Sequence, residues 1–335
     1  MPLRWILTLV LVPALFAQSE RVFHFTKLTD VQQLGEVAKT IAAVGGFGAP
    51  VVNAENRTLV ASGTAAQLAF VEWAVANLDV DVQAQGVHAV VGDHLMAGNP
   101  DDAVRIFRIA HAAGVRQFNE MATVVRSIAE TKYLYASWTT GSLVMRTTPG
   151  FLDLGQWLTE RLDRPVAELD FNPHNYDLPA PKDGWPALDN SGRVTVLRVA
   201  NATTEVDFQH MVTAVRSITE IRRVMSYSAT GTIAIRSSTA GAEAAAWVLQ
   251  QVDRKTSGAV AEYRYPAVDD VIDVIYLPLS LTTAQFQQQA TTVRMVTGAR
   301  RLYTYNRLHA ILVRETEERV AQARKLLSEP LVAAK

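Results

Sequence analysis

Cysteine is absent from all 335 residues, which excludes disulfides, thiolate metal sites and a lipid-modified cysteine anchor together. Stability must therefore come from burial. Beyond the first residues there is also no apolar run near the roughly 18 residues a membrane-spanning helix needs, so no transmembrane anchor is expected in the mature chain. Basic excess is missing too. With 32 Lys and Arg against 33 Asp and Glu, the net charge is −1, and a near-neutral chain argues against nucleic acid as a partner. Catalytic signatures are equally scarce: there is no G-x-S-x-G, no S-x-x-K and no phosphate loop. The 7 histidines (His24, His88, His94, His111, His174, His210 and His309) contain no i, i+4 pair, so no metal-ligand motif emerges. His174 lies with Asp170 and Asp177 in the polar stretch FNPHNYD, where a Pro-flanked surface linker is the expected reading. Gly45-Gly46-Phe47-Gly48 reads as a helix C-cap and turn. No catalytic residue, cofactor or metal is expected.

What is present begins with Arg4, an apolar run from Trp5 to Phe16, and Ala17 before the polar Gln18-Ser19-Glu20. This is the pattern of a secretory signal peptide over residues 1–17, too short to span a bilayer. An exported protein, periplasmic or secreted, is expected. The composition, 49% hydrophobic with mean hydropathy +0.07, is that of an ordinary globular chain.

Internal repeats dominate the remainder. LGEVAKTI (34–41), FNEMATVV (118–125), FQHMVTAV (208–215) and FQQQATTV (286–293) align, and the same registers carried forward without a gap superpose Trp73, Trp157 and Trp247, then Asp79, Asp163 and Asp253. Carried backward they superpose Phe23, Phe107, Leu197 and Ile275. Each copy opens with an alternating segment that reads as a strand with one buried face. A helix follows, its stripe being Leu34, Val37, Ile41 and Val44 in the first copy and Phe118, Met121, Val125 and Ile128 in the second, with Gln289 the exception in the fourth. A hairpin comes next, turning at Asn56-Arg57, Thr140-Gly141 and Thr230-Gly231. A second helix, from about Ala65 to Leu78 in the first copy, closes the unit.

The expected fold class is α+β: four tandem βαββα modules, each with two helices packed on a small three-stranded sheet. The modules span 22–79, 106–163, 196–253 and 274–331, joined by linkers 80–105, 164–195 and 254–273. The second linker is rich in Pro and Gly and reads as a hinge. The first contains VHAVVGDHL, which has room for a short strand.

Copy one, from Val22 to Asp79, resembles the short N-terminal repeat domain of the secretins over its whole length. The most specific parts are the hairpin strand NRTLVASGT (56–64) and the helix ending in Leu78-Asp79. GSLVMRTT, GTIAIRSS and HAILVRET keep the strand in the later copies without the Asn-Arg-Thr start. The resemblance implies KH-like modules that pack side by side into periplasmic rings and meet secretion-machinery proteins. Secretins place an outer-membrane pore domain after such repeats, whereas this sequence reaches Lys335 directly after copy four; the expectation is the soluble periplasmic part, not a channel. The KH topology also raises RNA binding. No copy has a basic G-x-x-G loop, so that reading is rejected.

Three tryptophans and six arginines are the candidate interface residues. At 100° per residue Trp73 lies about 140° from Leu78, off the core stripe, and Trp157 and Trp247 do likewise. Such residues serve either as partner anchors or as covers for the chain's own following segment; Lys325 stands at the fourth position, as intrachain packing would require. Arg126, Arg216 and Arg294 recur on the first helix, and Arg146, Arg236 and Arg314 on the last strand, where copy one has Ala42 and Ser62. Intrachain pairing with carboxylates such as Asp163 or Asp253, or solvation, is expected of these arginines. The function expected is a non-catalytic periplasmic or secreted scaffold that binds protein partners, in an envelope or secretion assembly, and with which self-association is compatible. The alternative is a binder of cell-envelope carbohydrate, peptidoglycan, using Trp138, Tyr303 or Tyr305 as sugar platforms.

Overall fold

The computed structural model describes residues 18–81, 89–96, 99–178, 192–266 and 268–328. The expected signal peptide (1–17) and the centre of the Pro-rich linker (179–191) lie outside the described residues.

The first module runs β1 (Ser19–His24), α1 (Val31–Gly45), β2 (Val51–Asn53), β3 (Thr58–Gly63) and α2 (Ala65–Leu78), with strand order β1-β3-β2. Local chemistry sets each boundary. Asp30 caps α1 by accepting from the Gln32 and Gln33 N–H groups, and Gly46 ends it at φ 71, a left-handed conformation that glycine adopts without steric cost. Arg57 turns the hairpin at φ 50. Thr64 and Gln67 form a reciprocal capping box at the start of α2.

The βαββα order recurs three times. The second module is β5 (Ala103–Arg108), α3 (Val115–Ala129), β6 (Tyr133–Ser137), β7 (Ser142–Thr147) and α4 (Pro149–Leu162). The third is β9 (Arg193–Arg198), α5 (Glu205–Thr219), β10 (Arg223–Tyr227), β11 (Thr232–Ser237) and α6 (Thr239–Val252). The fourth is β13 (Asp270–Tyr276), α7 (Thr283–Thr297), β14 (Arg301–Tyr305), β15 (Ala310–Thr316) and α8 (Glu317–Ser328). Every sheet is antiparallel.

Among the described residues only the first sheet is three-stranded. The connectors supply a fourth strand to each later sheet: β4 (Ala89–Leu95), β8 (His174–Asp177) and β12 (Ala261–Arg264) pair with β5, β9 and β13. An unpaired edge leaves a row of N–H and C=O groups open, and each connector fills it. The stretch 164–195 is therefore not free chain throughout, since His174–Asp177 is held in a ladder. The first connector's VHAVVGDHL does contain a strand.

Burial shows a second difference. The opening strand has one buried face only in the first module, where β1 is exposed apart from Phe23. In β5 every residue is buried. The reason is stacking: Val104, Ile106 and Val144 on the outer face of the second sheet join the core of the first module beside Val37, Val44 and Phe70. Val194, Val196 and Ala234 join the second module's core in the same way, and Ile272, Val274, Ala310 and Leu312 the third's. Three sheets are thus sandwiched between their own helices and those of the preceding module.

The stripe on the first helix divides accordingly. On α7, Phe286 and Val293 are buried while Val296 is 50% exposed. These α7 positions correspond to Leu34, Ile41 and Val44, all fully buried on α1. Half of what reads as a single core stripe in sequence faces the next module.

Candidate interaction surfaces at the module joints

Each joint seats the first helix of one module on the hairpin strand of the next: α1 on β6, α3 on β10, α5 on β14. The arginines of the last strand lock it. Arg146 donates to the Val44 and Gly45 carbonyls at 3.0 Å and pairs with Asp102 at 2.6 Å. Arg236 donates to the Ile128 carbonyl at 3.1 Å and pairs with Glu130. Arg314 donates to the Thr219 carbonyl at 3.1 Å, pairs with Asp270 at 2.9 Å and lies 4.2 Å from the Tyr265 ring centroid. A helix leaves its last carbonyls unsatisfied and carries partial negative charge at that end. In all three joints a guanidinium from the next module meets both needs. The partners of these arginines are helix ends together with the carboxylates of Asp102, Glu130 and Asp270, and Ser62 stands where no preceding helix is present among the described residues.

Asp79, Asp163 and Asp253 hold backbone instead. Asp79 accepts from the Thr26, Lys27 and Leu28 N–H groups at 2.6, 2.9 and 2.8 Å. Asp163 accepts from Ala110 and His111, and Asp253 from Ala200 and Asn201. Burial pushes the Asp79 carboxyl up, but the N–H groups of Leu28, Thr26 and Lys27 outweigh it and leave the pKa below its ordinary 3.8. A depressed carboxylate contributes stability that is present above its unfolded pKa and lost as pH falls through the folded one. Asp79→Asn is expected to cost about 1–2 kcal/mol at pH 7 and to flatten the loss of stability below about pH 4. Urea midpoints measured from pH 3 to pH 7 would check both.

The arginines of the first helix tie it to its own module. Arg126, Arg216 and Arg294 donate to the carbonyls of Leu134, Val224 and Leu302 at 2.9, 2.6 and 3.0 Å.

The tryptophans lie over the connector strands. Ring centroids are 5.2 Å apart for Trp73 and His94, 5.5 Å for Trp157 and Tyr176, and 5.5 Å for Trp247 and Tyr263. Each indole extends from the second helix of one module to the strand that edges the next sheet. Trp157→Ala is expected to lower stability by about 2 kcal/mol, less than a fully buried aromatic because the ring is only partly covered. An unchanged thermal midpoint would sink the intrachain role.

Sequence reasoning missed several joint residues. Glu130 and Glu220 occupy the left-handed cap at φ 52 and φ 57, where Gly46 and Gly298 stand in the other modules. That conformation costs a non-glycine residue roughly 1 kcal/mol. Each carboxylate reaches the next module: Glu130 meets Arg223 and Arg236, and Glu220 meets Arg301 at 2.7 Å. Arg108 donates to the Asn77 carbonyl, and burial lowers its pKa to about 10. Arg198 donates to Leu169 O at 2.7 Å and Tyr276 to Gln251 O at 2.9 Å from the equivalent position. The position holds Arg in the second and third modules but His24 in the first and Tyr276 in the fourth, so no single residue type across all copies marked the site.

The remaining candidates have structural partners. His174 sits 3.0 Å from Asp170, while Asp177 pairs with Arg193 at 2.7 Å, so the trio does not converge. No group of three or more His, Asp or Glu suited to a metal ion occurs among the described residues. The pocket beside Arg161, Arg198 and His174 is water-sized. Tyr305 is buried in the third joint, hydrogen-bonded to Asp207, and Tyr303 packs against the same core. Of the three candidate sugar platforms only Trp138 is exposed, its ring against Phe118. No helix among the described residues is long and apolar enough to cross a membrane.

No family model matches the sequence, and no curated protein matches it. Similar solved structures exist. A dimeric mutant of the N-terminal domain of the secretin XcpQ from Pseudomonas aeruginosa is 16% identical with a TM-score of 0.19, covering 44% of this chain and 60% of its own. The N-terminal domain of the same secretin is 12% identical with a TM-score of 0.21, covering 70% of this chain and 100% of its own. The type II secretion system secretin GspD of Escherichia coli K12 is 14% identical with a TM-score of 0.17, covering 71% of this chain and 39% of its own. The chain spans 60% of the length of the first of these. The fold follows from the strand order and packing of the chain itself.

Proposed function

We propose that this chain is a non-catalytic scaffold of the cell envelope, exported to the periplasm or secreted, whose four stacked modules dock protein partners in an envelope or secretion assembly. The observation that carries the reading is the joint. Three joints of one design engage the last-strand arginines and the tryptophans and join the modules into a packed row. A row of joined modules presents an extended surface of the kind that docks proteins, and a sizeable cleft among the described residues, about 510 Å³ between Arg116, Phe208 and Thr230, is open and lies at a joint. The resemblance of Val22–Asp79 to a secretin repeat points toward secretion. The carbohydrate reading is weaker, because Tyr303 and Tyr305 are committed to the third joint. Cross-linking in intact cells of the producing organism, followed by affinity recovery of the chain, should retrieve defined envelope proteins. A chain that recovers none of them but sediments with purified peptidoglycan would overturn the scaffold and favour the alternative.

A further inference from the structure

Among the described residues, the two halves of a fourth joint lie unmatched, one on the first module and one on the fourth. At each existing joint one cross-strand row of three side chains faces the preceding helices: Tyr135, Val144 and Ile106 in the second module, Met225, Ala234 and Val196 in the third, and Tyr303, Leu312 and Val274 in the fourth. Its counterpart in the first module is Val51, Val60 and Val22, in register across β2, β3 and β1. Val51 is 67% exposed and Val22 49%. Valines aligned on an exposed sheet face are what a docking row looks like when nothing is seated on it.

The other half is α7. Its positions Gln285, Thr292 and Val296 repeat Gln33, Thr40 and Val44 of α1, residue for residue. Thr40 and Val44 are buried beneath the second module, whereas Val296 and the adjacent Met295 are 50% and 72% exposed. Gln289, in the place of Val37, keeps a buried side-chain oxygen with no hydrogen-bond partner among the described residues. Both halves also depart from the internal joints in complementary ways. Glu20 replaces Val104, Val194 and Ile272, while Lys325 replaces the tryptophans, so the sheet face gains an acid and the helix face a base.

We propose that the sheet face of the first module receives α7 of a second copy of this chain, giving head-to-tail association through a fourth joint of the internal design. The contact is heterologous, so it extends beyond a dimer unless its rotation closes a ring. It is weaker than the internal joints, because Ser62 leaves the carbonyls at the end of α7 without the arginine that closes the other three. The proposal stands apart from the scaffold reading, since it concerns only the chain's contact with itself.

Sedimentation velocity of the purified chain from micromolar to several hundred micromolar concentration should show mass rising past the monomer. Ser62→Arg, which restores the missing donor, should tighten association at least about 5-fold, roughly 1 kcal/mol. Val51→Asp and Val296→Asp should each abolish it with the thermal midpoint unchanged, since both side chains are exposed. An equimolar mixture of those two variants should form a 1:1 dimer and nothing larger, because each keeps the half that the other lacks. A monomer at every concentration that Ser62→Arg does not alter would overturn the proposal. So would a dimer that survives Val296→Asp, because the valine row would then be pairing with itself or another surface.

Discussion

Ile106→Ala is expected to cost about 3 kcal/mol, against less than about 0.5 kcal/mol for Val22→Ala at the matching position of the first module. The two residues occupy equivalent places in the opening strands of their modules, β5 and β1. Ile106 is fully buried, whereas Val22 is 49% exposed. The difference is the preceding module's helices, so the comparison measures stacking rather than strand formation. Truncating Ile106 removes three buried carbons and leaves a cavity that α1 and β7 cannot both collapse into. Urea unfolding of the two variants would check it. Equal losses would mean that the second sheet does not rest on the first module in solution.

Arg314→Ala is expected to lower stability by about 2–3 kcal/mol and to loosen the third joint specifically. The side chain is 10% exposed, and its loss strips the Thr219 carbonyl of a charged donor and leaves Asp270 with only Arg301. Breaking a buried ion pair from one side leaves an uncompensated charge, which is why the effect exceeds that of a surface bridge. Arg314→Lys should recover little, because one ammonium cannot reach the carbonyl and the carboxylate while stacking on Tyr265. Hydrogen exchange at the end of α5 is the direct readout. Faster exchange there, with the fourth module's own core unchanged, is the expected pattern.

The modular organisation was legible because the repeat holds its register without gaps over helix, hairpin and second helix. Turn and cap glycines marked boundaries independently: Gly46 ends α1, and Gly141 and Gly231 take the positive φ of their turns. The same alignment carried information about stacking. Copy one lacks the strand arginine, copy four lacks the tryptophan, and Gln289 interrupts the stripe. Each departure falls in the first or the fourth module, on a face that no other module covers among the described residues.

The connector strands were harder to read, since a four-residue strand such as His174–Asp177 is too short to display a period and exists only because β9 offers it an edge. The left-handed Glu130 and Glu220 were invisible for a related reason. Nothing in the local sequence favours glutamate at that φ, and its compensation comes from arginines of the next module. The buried Arg108 is similar, held by a carbonyl 31 residues away.

From its sequence alone, then, this protein determined what is local and repeated: four βαββα units, their caps and turns, and which positions differ at the two ends. Only the tertiary structure decided what those positions touch. A helical stripe or a strand arginine declares that it must be buried or paired, because apolar surface and helix-end carbonyls both need partners. Whether the partner lies in the same module or the next depends on how the modules stack, and contacts across a joint have no sequence period to reveal them.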